Sequence, residues 1–225
     1  MIRLQKVSKV YREAGSAQAV EALREVTFHV ASGEFMAVTG GSGSGKTTLM
    51  NIVGCLDRPT SGTVLIDGED PLQLDDRRLS RLRNEKIGFV FQGFNLLMGR
   101  TALENVMLPL ALRGIDRKVR RQMAAEALEQ VGLGDRLHHR PGQLSGGQQQ
   151  RVAIARVIAC KTPIILADEP TGNLDPQAAA NIMGILHTLN GQGVTILLIT
   201  HDPTVAAQAG CRAVMRAGRL DRHSN

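Results

Sequence analysis

The sequence predicts an α/β fold, a parallel sheet covered by helices on both faces, and three observations carry that expectation. Short strands that are apolar along their whole length, at 164–167 and 194–199, alternate with helical patterns. A glycine-rich stretch joins a strand at 34–39 to a helical pattern from about Lys46 to Gly54. Between Thr101 and about Val131 the apolar residues Leu103, Val106 and Leu110, then Met123, Ala127 and Val131, recur every three to four positions, which is the helical period.

The remaining elements follow in order. Residues 2–7 and 23–30 alternate apolar and polar side chains, and 63–66 runs into an Asp67-Gly68 turn, so the first third should contain short antiparallel pairings. After the helical middle come a helix from about Gly147, the strand at 164–167, a helix from Pro176, the strand at 194–199 and a helix from Pro203. At 225 residues with 43% hydrophobic and 21% charged side chains, the chain reads as one globular domain, 1–225, and not as a disordered segment.

Composition excludes several classes. No apolar run approaches the roughly 18 residues that span a bilayer, and the first residues alternate where a signal peptide would be continuously apolar, so the chain is expected to stay in the cytoplasm. Cys55, Cys160 and Cys211 are widely separated and form no Cys-x-x-Cys pair, which supports neither a disulfide framework nor a zinc site. The net charge of +6 gathers on prospective helix faces such as Arg77, Arg78, Arg81 and Arg83, without interleaved aromatics for base stacking, and nucleic acid is therefore not the expected partner.

Gly40-Gly41-Ser42-Gly43-Ser44-Gly45-Lys46-Thr47 fits the P-loop pattern G-x-x-x-x-G-K-[ST] and stands at a strand-to-helix junction, where that pattern has physical meaning. The glycines let successive N–H groups curl around a β-phosphate while the positive end of the next helix adds its field. Lys46 supplies a point charge between β- and γ-phosphates, and the Thr47 hydroxyl can ligate magnesium. Thr48 completes the expected ATP-binding stretch. Residues 164–169 form an apolar strand that delivers Asp168 and Glu169 to its C-terminal end, the edge at which parallel sheets bind ligands. Strand alternation is expected to send the two carboxylates opposite ways, Asp168 to Mg2+ and Glu169 to the attacking water. The expected fold is then a P-loop NTPase of RecA-like type, with an N-terminal antiparallel β portion and an α-helical portion.

Leu144-Ser145-Gly146-Gly147-Gln148 stands directly before a strong helical stretch, 149–156. A serine and two glycines at a helix start make a second anion-binding site that one chain cannot easily bring to its own P-loop, and a plain serine cap gives no reason for glycines in the first turn.

At this point the sequence resembles the ATP-binding cassette family over essentially its whole length, since 144–148 reads letter for letter as that family's signature. The resemblance implies a homodimer in which ATP on one P-loop is closed off by the signature residues Ser145, Gly147 and Gln148 of the other copy. It implies that Gln92, in Phe89-Val90-Phe91-Gln92, is the Q-loop glutamine that senses the metal and links to a membrane permease subunit on a separate chain. It likewise implies that Gly172-Asn173-Leu174-Asp175 is the D-loop, with Asp175 at the nucleotide, and that His201 is the switch histidine at the γ-phosphate. Capping alone also explains the aspartates of Asp175-Pro176 and Asp202-Pro203. Tyr11, the only tyrosine, lies where the family's A-loop aromatic stacks on adenine. Glu169, His201 and Gln92 are thus the expected catalytic set, and Thr47, Gln92 and Asp168 the metal set. Segments 1–92 and 159–225 are the expected ATP-binding core, 93–158 the helical and signature part. The chain should sit at the inner face of the membrane through its partner.

Stretches 54–62, 101–106 and 167–175 resemble the MacB/LolD-like branch, which serves macrolide export and lipoprotein release and whose membrane partners transmit force. Met98-Gly99-Arg100, Gly41 and Gln148-Gln149-Gln150 depart from that branch's common pattern, the first of them near the expected membrane-partner contact. A soluble or division-associated ATPase of the same family is the alternative.

Overall fold

A computed structural model describes residues 1–12 and 19–223. In chain order the elements are β1 (Ile2–Arg12), β2 (Ala19–Val30), β3 (Phe35–Thr39), α1 (Lys46–Val53), β4 (Ser61–Ile66), α2 (Asp76–Lys86), β5 (Ile87–Phe91), α3 (Ala102–Leu112), α4 (Arg117–Gln130), α5 (Gly146–Cys160), β6 (Ile164–Asp168), α6 (Pro176–Gly191), β7 (Thr195–Ile199), α7 (Pro203–Ala206), β8 (Cys211–Arg216) and β9 (Arg219–His223).

Two sheets result. One is antiparallel, ordered β2-β1-β4. Its pairing breaks phase between Leu4 and Val7, with Lys6 at φ 46, and this bulge is what turns Val7 inward although its spacing from Ile2 and Leu4 is odd. The other is ordered β5-β6-β7-β3-β8-β9, parallel except for β9 at its edge. Alternate residues of its central strands feed two cores. Ala37, Ile165, Ala167, Ile196 and Leu198 pack with α3 to α6, while Met36, Val38, Ile164, Leu166, Leu197 and Ile199 pack with α1 and the antiparallel sheet. Burial on both faces is why these strands are apolar throughout.

Some elements depart from the sequence reading. The helical middle is two helices, separated where Gly114 takes φ 74 and Asp116 caps α4. The helix expected from Pro203 is a single turn, α7. β8 and β9 were not anticipated, yet β8 pairs directly with β3 and so helps position the P-loop. The basic segment is α2, where Arg81 pairs with Glu85, and Lys86 at its end pairs with Asp67. Among the described residues no helix is long and apolar enough to cross a membrane, and no cluster of His, Cys, Asp and Glu is arranged to hold a metal by itself.

The topology decides where chemistry can occur. β7 lies between β6 and β3, so the loops leaving the C-terminal ends of these three strands, with Gly40, Asp168, Glu169 and His201, meet at one sheet edge.

Candidate active site

The glycine loop leaves β3 in a path closed to side chains. Gly40 has φ 154, and a Cβ there would lie 2.3 Å from the Met215 carbonyl oxygen; Gly45 has φ 108, and a Cβ would lie 2.4 Å from that of Ala22. Backbone occupies both places, so only glycine fits. Lys46 curls back over the loop, its Nζ donating to the carbonyls of Gly40 (2.7 Å) and Gly41 (2.8 Å). α1 begins at once, with no side-chain cap and no acidic residue in its first turn, so its leading N–H groups are left to an anion. Gly43 to Thr48 line a polar groove of about 330 Å³ with Val20, Glu21, Ala22, Arg24 and Gly218. Ser44 Oγ is buried without a hydrogen-bond partner. A cradle that excludes side chains, an uncapped helix start and an orphaned hydroxyl fit a polyphosphate. Ser42 and Thr47 lie exposed on the same loop and helix start.

Asp168 closes β6 near Lys46. Burial raises its carboxyl above the ordinary carboxylate range and the Glu169 charge adds to that, while the Lys46 ammonium opposes both. Glu169 is not part of the strand: its φ is 45, and its N–H donates to the Ile199 carbonyl at 2.9 Å. The two carboxylates therefore diverge through a left-handed residue at the strand end, and not through strand alternation as expected. That turn aims Glu169 across the end of β7, where its Oε1 accepts from the His201 N–H (2.8 Å) and faces His201 Nδ1 at 2.6 Å, and its Oε2 accepts from Thr200 Oγ1 (3.1 Å). The tautomer that donates from Nδ1 to this carboxylate oxygen leaves Nε2 outside the contact. His201 is exposed, whereas the Glu169 side chain is mostly covered, at 15% exposure.

Gln92 stands one residue beyond β5 and is exposed. It is paired in both directions with Asn173: Gln92 Nε2 donates to Asn173 Oδ1 (3.1 Å) and Asn173 Nδ2 donates to the Gln92 carbonyl (3.4 Å). Asp175 caps α6, accepting from Ala178 N–H at 2.8 Å. Its side chain is accounted for by that cap, and the structure brings it to no other site residue.

Ser145 and Gln148 form a reciprocal capping box at the start of α5. Gly147 has a packing reason that the sequence did not reveal: a Cβ there would lie 2.9 Å from the Ala178 Cβ, so α5 and α6 approach closely only with glycine at 147, whereas a Cβ on Gly146 would make ordinary contact with Leu174 at 3.4 Å. Ser145, Gly147 and Gln148 do not line the groove around Lys46, so the start of α5, whose capping box takes up the Ser145 and Gln148 N–H groups, stands apart from the uncapped start of α1.

Tyr11, on β1, donates its hydroxyl to Asp57 Oδ2 at 2.7 Å, and Lys9 Nζ lies 4.8 Å from its ring centroid while bonding Asp57 Oδ1. Partial burial and the bond to Asp57 hold its phenol pKa above the ordinary value. Sequence reasoning missed Thr200, Asn173 and Asp57 as partners of the expected site residues. Their spacings of 31, 81 and 46 residues leave no local signal. A groove of about 890 Å³ lies away from this chemistry, between α2, α3 and α5.

The chain is similar to known proteins over most of its length. Residues 23–172 match the family model described as ABC transporter. Over 98% of its length the chain is 52% identical to an ABC transporter ATP-binding protein of Thermotoga maritima, covering 94% of that protein. It is 48% identical, again over 98% of its length, to the macrolide export ATP-binding/permease protein MacB 1/2 of Paracoccus denitrificans, of which it spans 33%. The dimeric post-hydrolysis structure of the ATP-binding cassette MJ0796 bound to ADP and Pi matches with a TM-score of 0.90 at 43% identity, covering 100% of both chains.

Proposed function

Because the chain belongs to the ABC transporter family and is an ATP-binding ATPase, we propose that it couples Mg-ATP-driven closure of a homodimer to a separate membrane subunit of the MacB/LolD mechanotransmission type. One observation carries this: the loops that carry Lys46, Asp168, Glu169 and His201 leave one sheet edge, while the Ser145 helix start stands outside the groove that Lys46 lines. A second copy placed head to tail would supply Ser145, Gly147 and Gln148 to that groove.

In this reading the loop from Gly40 to Gly45 wraps the phosphates with backbone N–H groups, Lys46 leaves its loop carbonyls for the β- and γ-oxygens, and Tyr11 stacks on adenine. Thr47, Asp168 and, once released from Asn173, Gln92 would hold Mg2+, which supplies charge neutralisation at the β,γ-oxygens when bound. Glu169 orients and polarises the attacking water, and His201 Nε2 addresses the γ-phosphate. Segments 1–92 and 159–225 serve as the ATP-binding core and 93–158 as the helical and signature part. The chain works in the cytoplasm at the inner face of the cell membrane, held there by its partner.

The docking face is proposed at the Gln92 loop and α3. Leu97 and Met98 are 48% and 63% exposed, and Leu108 and Leu112, lining the large groove beside α3, are 42% and 76% exposed. Four exposed large apolar side chains on the Gln92 loop and α3 suit a partner, and the groove beside α3 suits an amphipathic helix. The loop itself is anchored by the bond from the Leu97 N–H to Asn105 Oδ1 (2.7 Å), which a side-chain change leaves in place. Replacing Leu97 and Met98 together with Asp should leave the isolated chain's ATPase within about twofold, because neither residue borders the phosphate groove, while co-purification with the membrane subunit from detergent falls sharply. Intact co-purification would put the docking surface elsewhere.

A further inference from the structure

We propose that Gln150 is a positioning residue that ties the start of α5 to Gln92 and to Glu169 at once. The inference rests on the roles given to those two residues above. Gln150 lies on the second turn of α5 and is fully buried, at 0% exposure. Its Nε2 donates to the carbonyl of Phe91 (3.2 Å) and to that of Pro170 (2.6 Å). Phe91 precedes Gln92, and Pro170 follows Glu169. Since both partners are carbonyl oxygens, only the amide nitrogen can face them, so the orientation of the side chain is fixed by chemistry.

Packing does not explain this residue. A buried amide is costly unless its groups are paired, and Gln150 Oε1 has no hydrogen-bond partner among the described residues. A methionine of similar volume would fill the space without that penalty. What the amide adds is a pair of bonds, one to the end of β5 and one to the turn after β6. Arg156, six residues further along α5, bonds the carbonyls of Phe94 (2.6 Å) and Asn95 (2.8 Å). α5 thereby holds the chain on both sides of Gln92. A helix moves as a stiff body, so a displacement of Ser145 to Gln148 is passed to Phe91 and Pro170 together. Gln92 and Glu169 then move in concert, and a protomer's own site registers what its signature end meets.

The test uses the full-length chain with Gln150→Met and Gln150→Glu, and with Gln149→Met as a control whose amide bonds only the Leu144 carbonyl (3.1 Å) at the start of its own helix. Nucleotide affinity is measured by equilibrium titration and kcat by steady-state turnover with Mg-ATP. Misplaced catalytic groups cost on the order of tenfold to a hundredfold in rate. Both Gln150 variants should therefore lose at least about tenfold in kcat while their ATP Kd stays within about twofold, and Gln149→Met should match the parent. Gln150→Glu should be the slower of the two, because its carboxylate faces two carbonyl oxygens. Unchanged kcat in a folded Gln150 variant overturns the proposal. If Glu169→Gln is inactive in the same assay, that failure belongs to Gln150 alone; if Glu169→Gln turns over normally, the underlying reading of the site has failed instead. Should neither variant fold, the side-chain amide resonances of Gln150 in the labelled parent protein decide: exchange-protected signals that shift on addition of Mg-ATP support the proposal, and signals that do not shift overturn it.

Discussion

Glu169→Gln is expected to bind ATP normally and to lose turnover by about 10²- to 10⁴-fold, the usual worth of a positioned general base. The hydrogen bonds around Glu169 explain why the loss should be confined to chemistry. Its Oε1 accepts from the His201 backbone and ring and its Oε2 from the Thr200 hydroxyl. An amide oxygen can keep both His201 bonds, and the Thr200 hydroxyl, which also accepts from the Asp202 N–H, can turn to accept from the new NH2 at the cost of the acceptor for its own proton. Apart from that one bond, only the charge and the basicity disappear. Turnover by the variant at the parent rate would remove Glu169 from the mechanism.

Lys46→Ala should instead weaken ATP binding by about a hundredfold, close to 2.7 kcal/mol, as expected when a charged hydrogen-bond donor to phosphate is deleted. The point charge directed at the β- and γ-oxygens is lost, and this outweighs the bonds from Nζ to the Gly40 and Gly41 carbonyls, which Lys46 gives up when it turns to the phosphates and which therefore oppose binding. Lys46 also lowers the Asp168 pKa against the upward push of burial. In the variant the Asp168 carboxyl should therefore titrate at higher pH than in the parent, and metal-supported binding should fade earlier as pH is lowered. Equal affinities by equilibrium titration would contradict the role of the loop.

What was legible in the sequence was what local pattern determines. The P-loop is eight contiguous residues whose glycines are needed by backbone geometry, and the strands at 164–167 and 194–199 are apolar because both of their faces are buried. β8 was not legible because only Ala213 and Met215 are buried in it, beside Arg212 and Arg216, and its place next to β3 comes from pairing across the fold. The left-handed backbone of Glu169 was hidden for a related reason. It is imposed by the turn into Pro170 and by the bond to Ile199, 30 positions away, so the strand pattern appeared to run one residue further than it does. Gln150 read as one of three consecutive polar residues near a helix start, and nothing local marked it as the buried one.

The central claim is that two copies share their ATP sites, each closing the other's P-loop with Ser145, Gly147 and Gln148. Its most direct test is the mass of the Glu169→Gln chain by light scattering, with and without saturating Mg-ATP. The account predicts a species of twice the 24.3 kDa chain mass only when nucleotide is bound, and its loss on adding Ser145→Arg. A chain that binds ATP and stays monomeric would contradict it.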